Sequence, residues 1–172
     1  MRVSRAVIGV DPGGTGAIAA VDLETLELIG VVDMPMAADE VAVPLLGELP
    51  GRLAGLGYVL AAVAIERVGP MPRQGVASSF KFGRRFGGVE GFFGARWPTV
   101  LITPTAWKSA ARITGKDKDA ARLLAIQTWP GSAELFARKK DVGRADAALI
   151  ARHHAATGLF GNHLPVRKAA AS

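Results

Sequence analysis

The chain has no cysteine in its 172 residues, so neither a disulfide framework nor a thiolate metal site can form, and this suits a reducing, cytoplasmic setting. Long hydrophobic runs are missing too. Apolar residues make up 49% of the sequence, yet the longest candidate, Tyr58 to Ile65, is far shorter than the roughly 18 residues of a membrane span. A soluble protein with no membrane partner is expected. Only five apolar or Gly residues separate Arg5 from Asp11, too few for the apolar segment of a secretory leader. Asn occurs once and Gln twice, a scarcity that fits a thermostable chain or a GC-rich coding sequence equally well. No Gly-Lys-Ser or Gly-Lys-Thr is present, which excludes a P-loop.

At 17.9 kDa the chain can build one ordinary domain with a hydrophobic core. Its net charge of +6 is unevenly distributed. Residues 1 to 70 hold 4 Lys/Arg against 9 Asp/Glu, whereas residues 71 to 172 hold 17 against 6. A segment this basic points to a polyanionic partner, nucleic acid before membrane, because no basic amphipathic helix stands apart from the core pattern.

Along the chain, Arg5–Val10, Thr15–Val21 and Glu27–Met34 read as three strands of an antiparallel meander, the first ending in the turn signal Asp11-Pro12-Gly13-Gly14. Pro44 to Leu56 carries helical apolar spacing with a break at Pro50-Gly51. Val59–Ile65 is apolar throughout, as in a strand buried on both faces, and stops at Glu66. After a Pro/Gly loop, Val76–Gly94 is a long helix, Thr99–Ile102 a short strand, Pro104–Ala111 a short helix, and Lys116–Thr128 a helix ended by Pro130. A last helix starts at Asp141 or Gly143 and runs to Ala156. The pattern is a single α/β domain over residues 1–160 with a short basic tail at 161–172.

Four carboxylates stand where apolar or turn residues are expected. Asp11 and Glu66 close two strands, Asp146 interrupts an apolar helix, and Asp141 follows Arg138-Lys139-Lys140. If the first strand and the Val59 strand are neighbours, their ends bring Asp11 and Glu66 together, and a crossing helix can add Asp146. Clustered carboxylates repel unless cations neutralise them, and hard oxygen ligands without Cys or His suit Mg²⁺ or Mn²⁺. Each residue also has a plainer role: Asp11 in its turn, Glu66 paired with Arg67, Asp146 paired with Arg144, Asp141 as a helix N-cap.

The stretches Val7-Ile8-Gly9-Val10-Asp11-Pro12-Gly13, Ala64-Ile65-Glu66, Trp107-Lys108, Asp117-Lys118-Asp119 and Arg144-Ala145-Asp146-Ala147-Ala148-Leu149 resemble, in order and at similar intervals, the motifs of the RuvC-type Holliday junction resolvases. The resemblance spans roughly residues 5 to 156 and is strongest with the phage and organelle branches. It implies an RNase H-like fold, with a mixed five-stranded sheet whose first three strands are antiparallel, flanked by helices. It also implies a homodimer and a Mg²⁺-dependent endonuclease that nicks two opposing strands of a four-way DNA junction. Asp11, Glu66 and Asp146 match the family's metal-binding carboxylates, and two Mg²⁺ per site, replaceable by Mn²⁺, are expected. Lys108 and Lys118 match basic residues near the scissile phosphate. Arg73, Lys81, Arg84, Arg85 and Lys116 extend the expected DNA-binding set.

Two positions depart from the family pattern. Three residues before Asp146, where the bacterial branch carries an acid or His, this chain has Gly143; the fourth ligand then falls to Asp141, reached from a turn before the helix. Three residues after Glu66, where that branch can carry a stacking aromatic, stands Gly69, leaving Met71 as the apolar wedge between bases. In the Val76–Gly94 helix a Phe82, Phe86, Val89 and Phe93 stripe and the small residues Gly87, Gly88, Gly91 and Gly94 mark a core face and a dimer contact. Asp11 to Gly16 also resembles the phosphate turn of the sugar kinase and actin superfamily, but those proteins close two lobes over ATP, so no nucleotide cofactor is expected here. A related nuclease acting on structured RNA and a non-catalytic junction-binding module remain the other readings of these residues.

Overall fold

The structure, a computed structural model, describes residues 3–69, 75–117 and 119–158. The three expected strands form as β1 (Ser4–Asp11), β2 (Ala17–Asp22) and β3 (Leu28–Asp33). They are followed by a small hairpin, β4 (Met36–Ala37) and β5 (Glu40–Val41), then α1 (Val43–Leu46), α2 (Leu49–Gly55) and β6 (Tyr58–Glu66). The second half contains α3 (Val76–Gly94), β7 (Thr99–Ile102), α4 (Pro104–Ala110), α5 (Ala120–Thr128) and α6 (Val142–Thr157). Two 3₁₀ stretches, Pro130–Phe136 and Lys139–Asp141, join the last two helices. Among the described residues no helix is long and apolar enough to cross a membrane.

The sheet runs β3-β2-β1-β6-β7, with β1–β2 and β2–β3 antiparallel and β1–β6 and β6–β7 parallel. Strand alternation sorts the core into two layers. Ala6, Ile8, Val10, Val63 and Ile65 pack with Leu46, Leu53, Val89 and Phe93 of α1, α2 and α3. Val7, Ala17, Ala19 and Ala64 pack with Trp107 of α4, Ala121 and Ala125 of α5, and the alanines of α6. Asp11 and Glu66 share the parity of Val7 and Ala64, so they belong to the α4–α6 side of the sheet.

Several boundaries differ from expectation for local reasons. The break in the Pro44–Leu56 segment falls at Gly47 and Glu48, because Pro50 sits in the first turn of α2, where its missing N–H costs nothing. Only Ala62 to Glu66 of β6 is fully enclosed, since β7 is four residues long and pairs with Val63 to Glu66 alone; Val59 is 49% exposed. The helix expected from Lys116 starts at Ala120, after the Asp119 N–H donates to Asp117 Oδ1 at 2.7 Å. The end of that helix at Thr128 is as expected, and Pro130 opens a 3₁₀ stretch after it.

The start of α6 is fixed by Asp141. Its buried carboxylate accepts the Arg138 backbone N–H at 2.9 Å and the Arg138 guanidinium at 2.8 Å, reciprocally closing the 3₁₀ turn. Arg138, and more weakly Arg144, hold the Asp141 carboxyl below the usual range. A depressed carboxyl stabilises the fold above the unfolded value and loses that contribution as pH falls through the native one. Asp141→Asn is therefore expected to cost about 1 kcal/mol near neutral pH. Urea melts of variant and wild type should differ by a constant amount above about pH 4 and converge at lower pH.

Helix α6 approaches β1 backbone to backbone. A Cβ on Gly9 would lie 2.2 Å from the Ala147 carbonyl oxygen and 2.4 Å from the Ala151 nitrogen, both backbone atoms that cannot turn aside. Gly9→Ala is expected to destabilise by about 3 kcal/mol or more, read from the same urea melts, because the helix must lift from the sheet.

Candidate metal and nuclease site

The strand ends and α6 gather three carboxylates. The last recorded β1–β6 register pair is Val10 with Ile65, so Asp11 and Glu66 stand one step further along adjacent parallel strands. Asp146 projects from the first turns of α6, above them. The three are electrostatically coupled: the Asp11 charge raises the pKa of both Glu66 and Asp146, and the Glu66 charge raises that of Asp146 further. In all three, burial is the largest cause of the upward shift, and Asp146 is pushed up to about 7. Lys108 acts in the opposite direction on every one of them, which locates its ammonium beside the cluster.

The hydrogen bonding of the three is sparse. Asp11 Oδ1 accepts the Gly13 N–H at 3.1 Å, so the residue serves its turn and still offers a second oxygen. Glu66 Oε1 accepts the Trp107 indole N–H at 2.8 Å in a buried contact. A hydrogen bond to a charged acceptor of this kind is worth about 1.5–3 kcal/mol. Asp146 Oδ1 is buried with no hydrogen-bond partner. A partnerless buried carboxylate oxygen next to two other acids fits a divalent cation, whose charge offsets both desolvation and repulsion. Among the described residues, no three Asp, Glu or His side chains are arranged as they stand to hold a metal ion.

The plainer roles of Glu66 and Asp146 do not materialise. Glu66 is bonded to Trp107, not paired with Arg67, and Arg144 is bound to Asp33 through contacts of 2.6 and 2.7 Å. Asp141 is not brought to the cluster: its oxygens face Arg138, with Arg144 at 3.9 Å. The reason lies at Gly143. A Cβ there would meet the Thr15 carbonyl oxygen at 2.6 Å and Asp11 Oδ2 at 3.2 Å, so the space one turn before Asp146 is already filled by the β1–β2 loop. Asp141 lies in the 3₁₀ turn before α6, where its carboxylate is held by Arg138.

A cavity of about 390 Å³ opens beside Asp146, lined by Lys108, Lys116 and Asp117 with Ile113, Ala121 and Val142. Lys108 and Lys116 are thus brought to one hollow with the carboxylate. Lys81, Arg84 and Arg85 do not line it. Lys81 and Arg84 pair with Asp39 and Glu40, and the Arg85 guanidinium donates to the Asp39 carbonyl oxygen at 2.6 Å, so all three hold the β4–β5 hairpin against α3. Met71, Arg73 and Lys118 lie outside the described residues. By contrast the side chains of Arg67, Arg112 and Arg152 make no hydrogen bond or ion pair among the described residues, a group that sequence reasoning did not single out. The bond from Trp107 to Glu66 was also missed, because the two stand three elements apart, on α4 and β6, and a buried indole N–H shows that it needs a partner without showing which.

No protein-family model matches this sequence, and no curated protein matches it by sequence. Among solved structures, the chain is similar to Thermus thermophilus RuvC in complex with Holliday junction substrate, with a TM-score of 0.54 and 23% identity over 91% of this chain and 96% of that one. It is also similar to a second Thermus thermophilus RuvC structure, with a TM-score of 0.54 and 25% identity over 87% of this chain and 93% of that one. The architecture is the RuvC-type RNase H-like fold.

Proposed function

We propose that the protein is a divalent-cation-dependent endonuclease that resolves four-way DNA junctions by paired nicks. The observation that carries this reading is the coupled trio Asp11, Glu66 and Asp146, with Lys108 beside it, at the open end of a RuvC-like sheet. The Thermus protein of the same fold was solved with a Holliday junction. Asp11, Glu66 and Asp146 would hold Mg²⁺ or Mn²⁺, which when bound supplies an activated water and stabilises the leaving 3′ oxygen. Lys108 donates to a phosphoryl oxygen on which charge develops. Arg67, Arg112, Arg152 and Lys116, uncommitted to internal partners among the described residues, are available to other phosphates of a basic substrate-binding side. Asp141 has no part in this reading and is a structural cap.

Two opposing strands require two sites, hence a homodimer. On α3, Val76, Phe80, Gly83, Gly87, Gly91 and Gly94 recur at spacings of three and four along one face. Val76 and Phe80 are 88% and 67% exposed, and a Cβ on any of the four glycines would meet nothing within 4 Å. Gly88, by contrast, packs on Val43 of α1. The opposite face inserts Val89 and Phe93 into the core.

Labelled four-way junction, duplex DNA and stem-loop RNA, each with Mg²⁺ or with chelator, test the activity. Junction alone should be cut, in Mg²⁺ alone, leaving 5′-phosphate and 3′-hydroxyl ends. Asp11→Asn, Glu66→Gln and Asp146→Asn should each fall below about 1% of wild-type turnover while binding the junction almost as well, because the DNA-facing cations remain. Near-native turnover in any variant removes that residue from the site, and preferential cutting of the stem-loop replaces the DNA reading with the RNA one.

Light scattering tests the dimer. The wild type should show twice the 17.9 kDa chain mass, and Phe80→Glu, which puts a charge on the outward face of α3, should show one chain and lose coordinated double nicking. An unchanged mass for the variant would move the interface elsewhere.

A further inference from the structure

Trp107 supplies the only side-chain hydrogen bond to any of the three carboxylates among the described residues. Its indole is fully buried, and the contact to Glu66 Oε1 spans 41 positions of sequence. Donor and acceptor nevertheless stand on one rigid unit. Glu66 is in register with Ile102 of β7, and the Arg67 N–H donates to the Ile102 carbonyl oxygen at 2.7 Å. Directly after Ile102, the Thr103 side chain accepts the Ala106 N–H and caps α4, whose first turn contains Pro104 and ends at Trp107. Strand pairing, cap and proline thus fix where the indole N–H points.

We propose that Trp107 is a positioning residue that orients Glu66 for cation binding; this rests on reading Glu66 as a ligand. The indole holds Oε1 and leaves Oε2 for the ion. The choice of donor matters. A Lys or Arg in this place would satisfy the carboxylate and cancel the charge that draws the cation. An indole carries no charge and does not deprotonate, so it fixes the rotamer while Glu66 keeps its full negative charge. Among the described residues the one side-chain ammonium that acts on the cluster is Lys108, whose Nζ lies over the same ring, 5.2 Å from the Trp107 centroid. Packing alone explains none of this, because Phe or Leu could fill the same pocket without a polar atom to satisfy.

The test uses the full chain and Mn²⁺ as the probe, titrated calorimetrically in the absence of DNA. Trp107→Phe removes the donor. A second variant, with Trp107 replaced by β-(3-benzothienyl)alanine, keeps the bicyclic shape and exchanges only the N–H for sulfur. Phe136→Leu serves as the packing control, since Phe136 is buried in the same core cluster and touches none of the carboxylates. Both Trp107 variants should bind Mn²⁺ about tenfold more weakly. They should bind the junction within about twofold of wild type, so that cleavage loses kcat and needs more Mg²⁺ with KM unmoved. Phe136→Leu should melt lower with Mn²⁺ affinity unchanged. Wild-type Mn²⁺ affinity in the benzothienyl variant, or equal weakening in Phe136→Leu, overturns the proposal while leaving Glu66 a ligand. Glu66→Gln separates the two failures: if it binds Mn²⁺ as well as wild type does, the ligand reading falls, and the role of Trp107 falls with it.

Discussion

The structure depends on the contact between the backbone of β1 and the backbone of α6. Gly9 leaves no side chain between them, and the helix answers with Gly143, Ala145, Ala147, Ala148 and Ala151, all buried. Close approach of a helix to a sheet sacrifices the burial that larger side chains would provide, and the molecule recovers it around the seam with Trp107, Trp129 and Phe136. The gain is positional. A helix seated directly on β1 carries Asp146 to the ends of β1 and β6, and no spacer side chain could hold it there as tightly. The same closeness at Gly143 leaves the β1–β2 loop touching the helix, so the loop, and not a fourth acid, occupies the turn before Asp146.

The electrostatic consequence is a local conflict inside an otherwise consistent fold. Three carboxylates are desolvated together, each raised by burial and two of them further by their neighbours. A protein selected for stability alone would place apolar residues here. Among the described residues the groups that ease the conflict are Lys108, the neutral Trp107 indole and the Gly13 N–H, of which only the lysine carries charge. On the other side of α6, Asp33, Asp141, Arg138 and Arg144 form a fully paired network that shows the ordinary structural solution for the same residue types.

Much of this was legible in the sequence. The short apolar run of β1 and its abrupt Asp11-Pro12-Gly13 ending located one carboxylate, the apolar run up to Glu66 the second, and the acid inside Ala145 to Ala151 the third. The boundaries of α3 and β7 followed from composition alone. What escaped was set by local geometry or by long-range contact. The β4–β5 hairpin turns on Ala38 and Asp39, with φ of 46° and 68°, a left-handed pair for which Asn-Gly is the usual signal and Ala-Asp gives none. Asp141 looked like a ligand by spacing, but a 3₁₀ turn and the nearby guanidinium of Arg138 claimed it. Lys81, Arg84 and Arg85 read as a DNA-binding cluster because their acidic partners lie about forty positions earlier. Trp107 and Glu66 are similarly distant in sequence, and only the β6–β7 register reveals that they meet.

The central claim is that Asp11, Glu66 and Asp146 form a cation site. The most direct measurement is anomalous diffraction from a crystal of the protein soaked in Mn²⁺. The account predicts a manganese peak bounded by oxygens of these three side chains, with Trp107 still donating to Glu66 and with Asp141 still bound to Arg138. A strong peak at Asp33 and Asp141 instead, or three carboxylates that remain metal-free at saturating Mn²⁺, would contradict it.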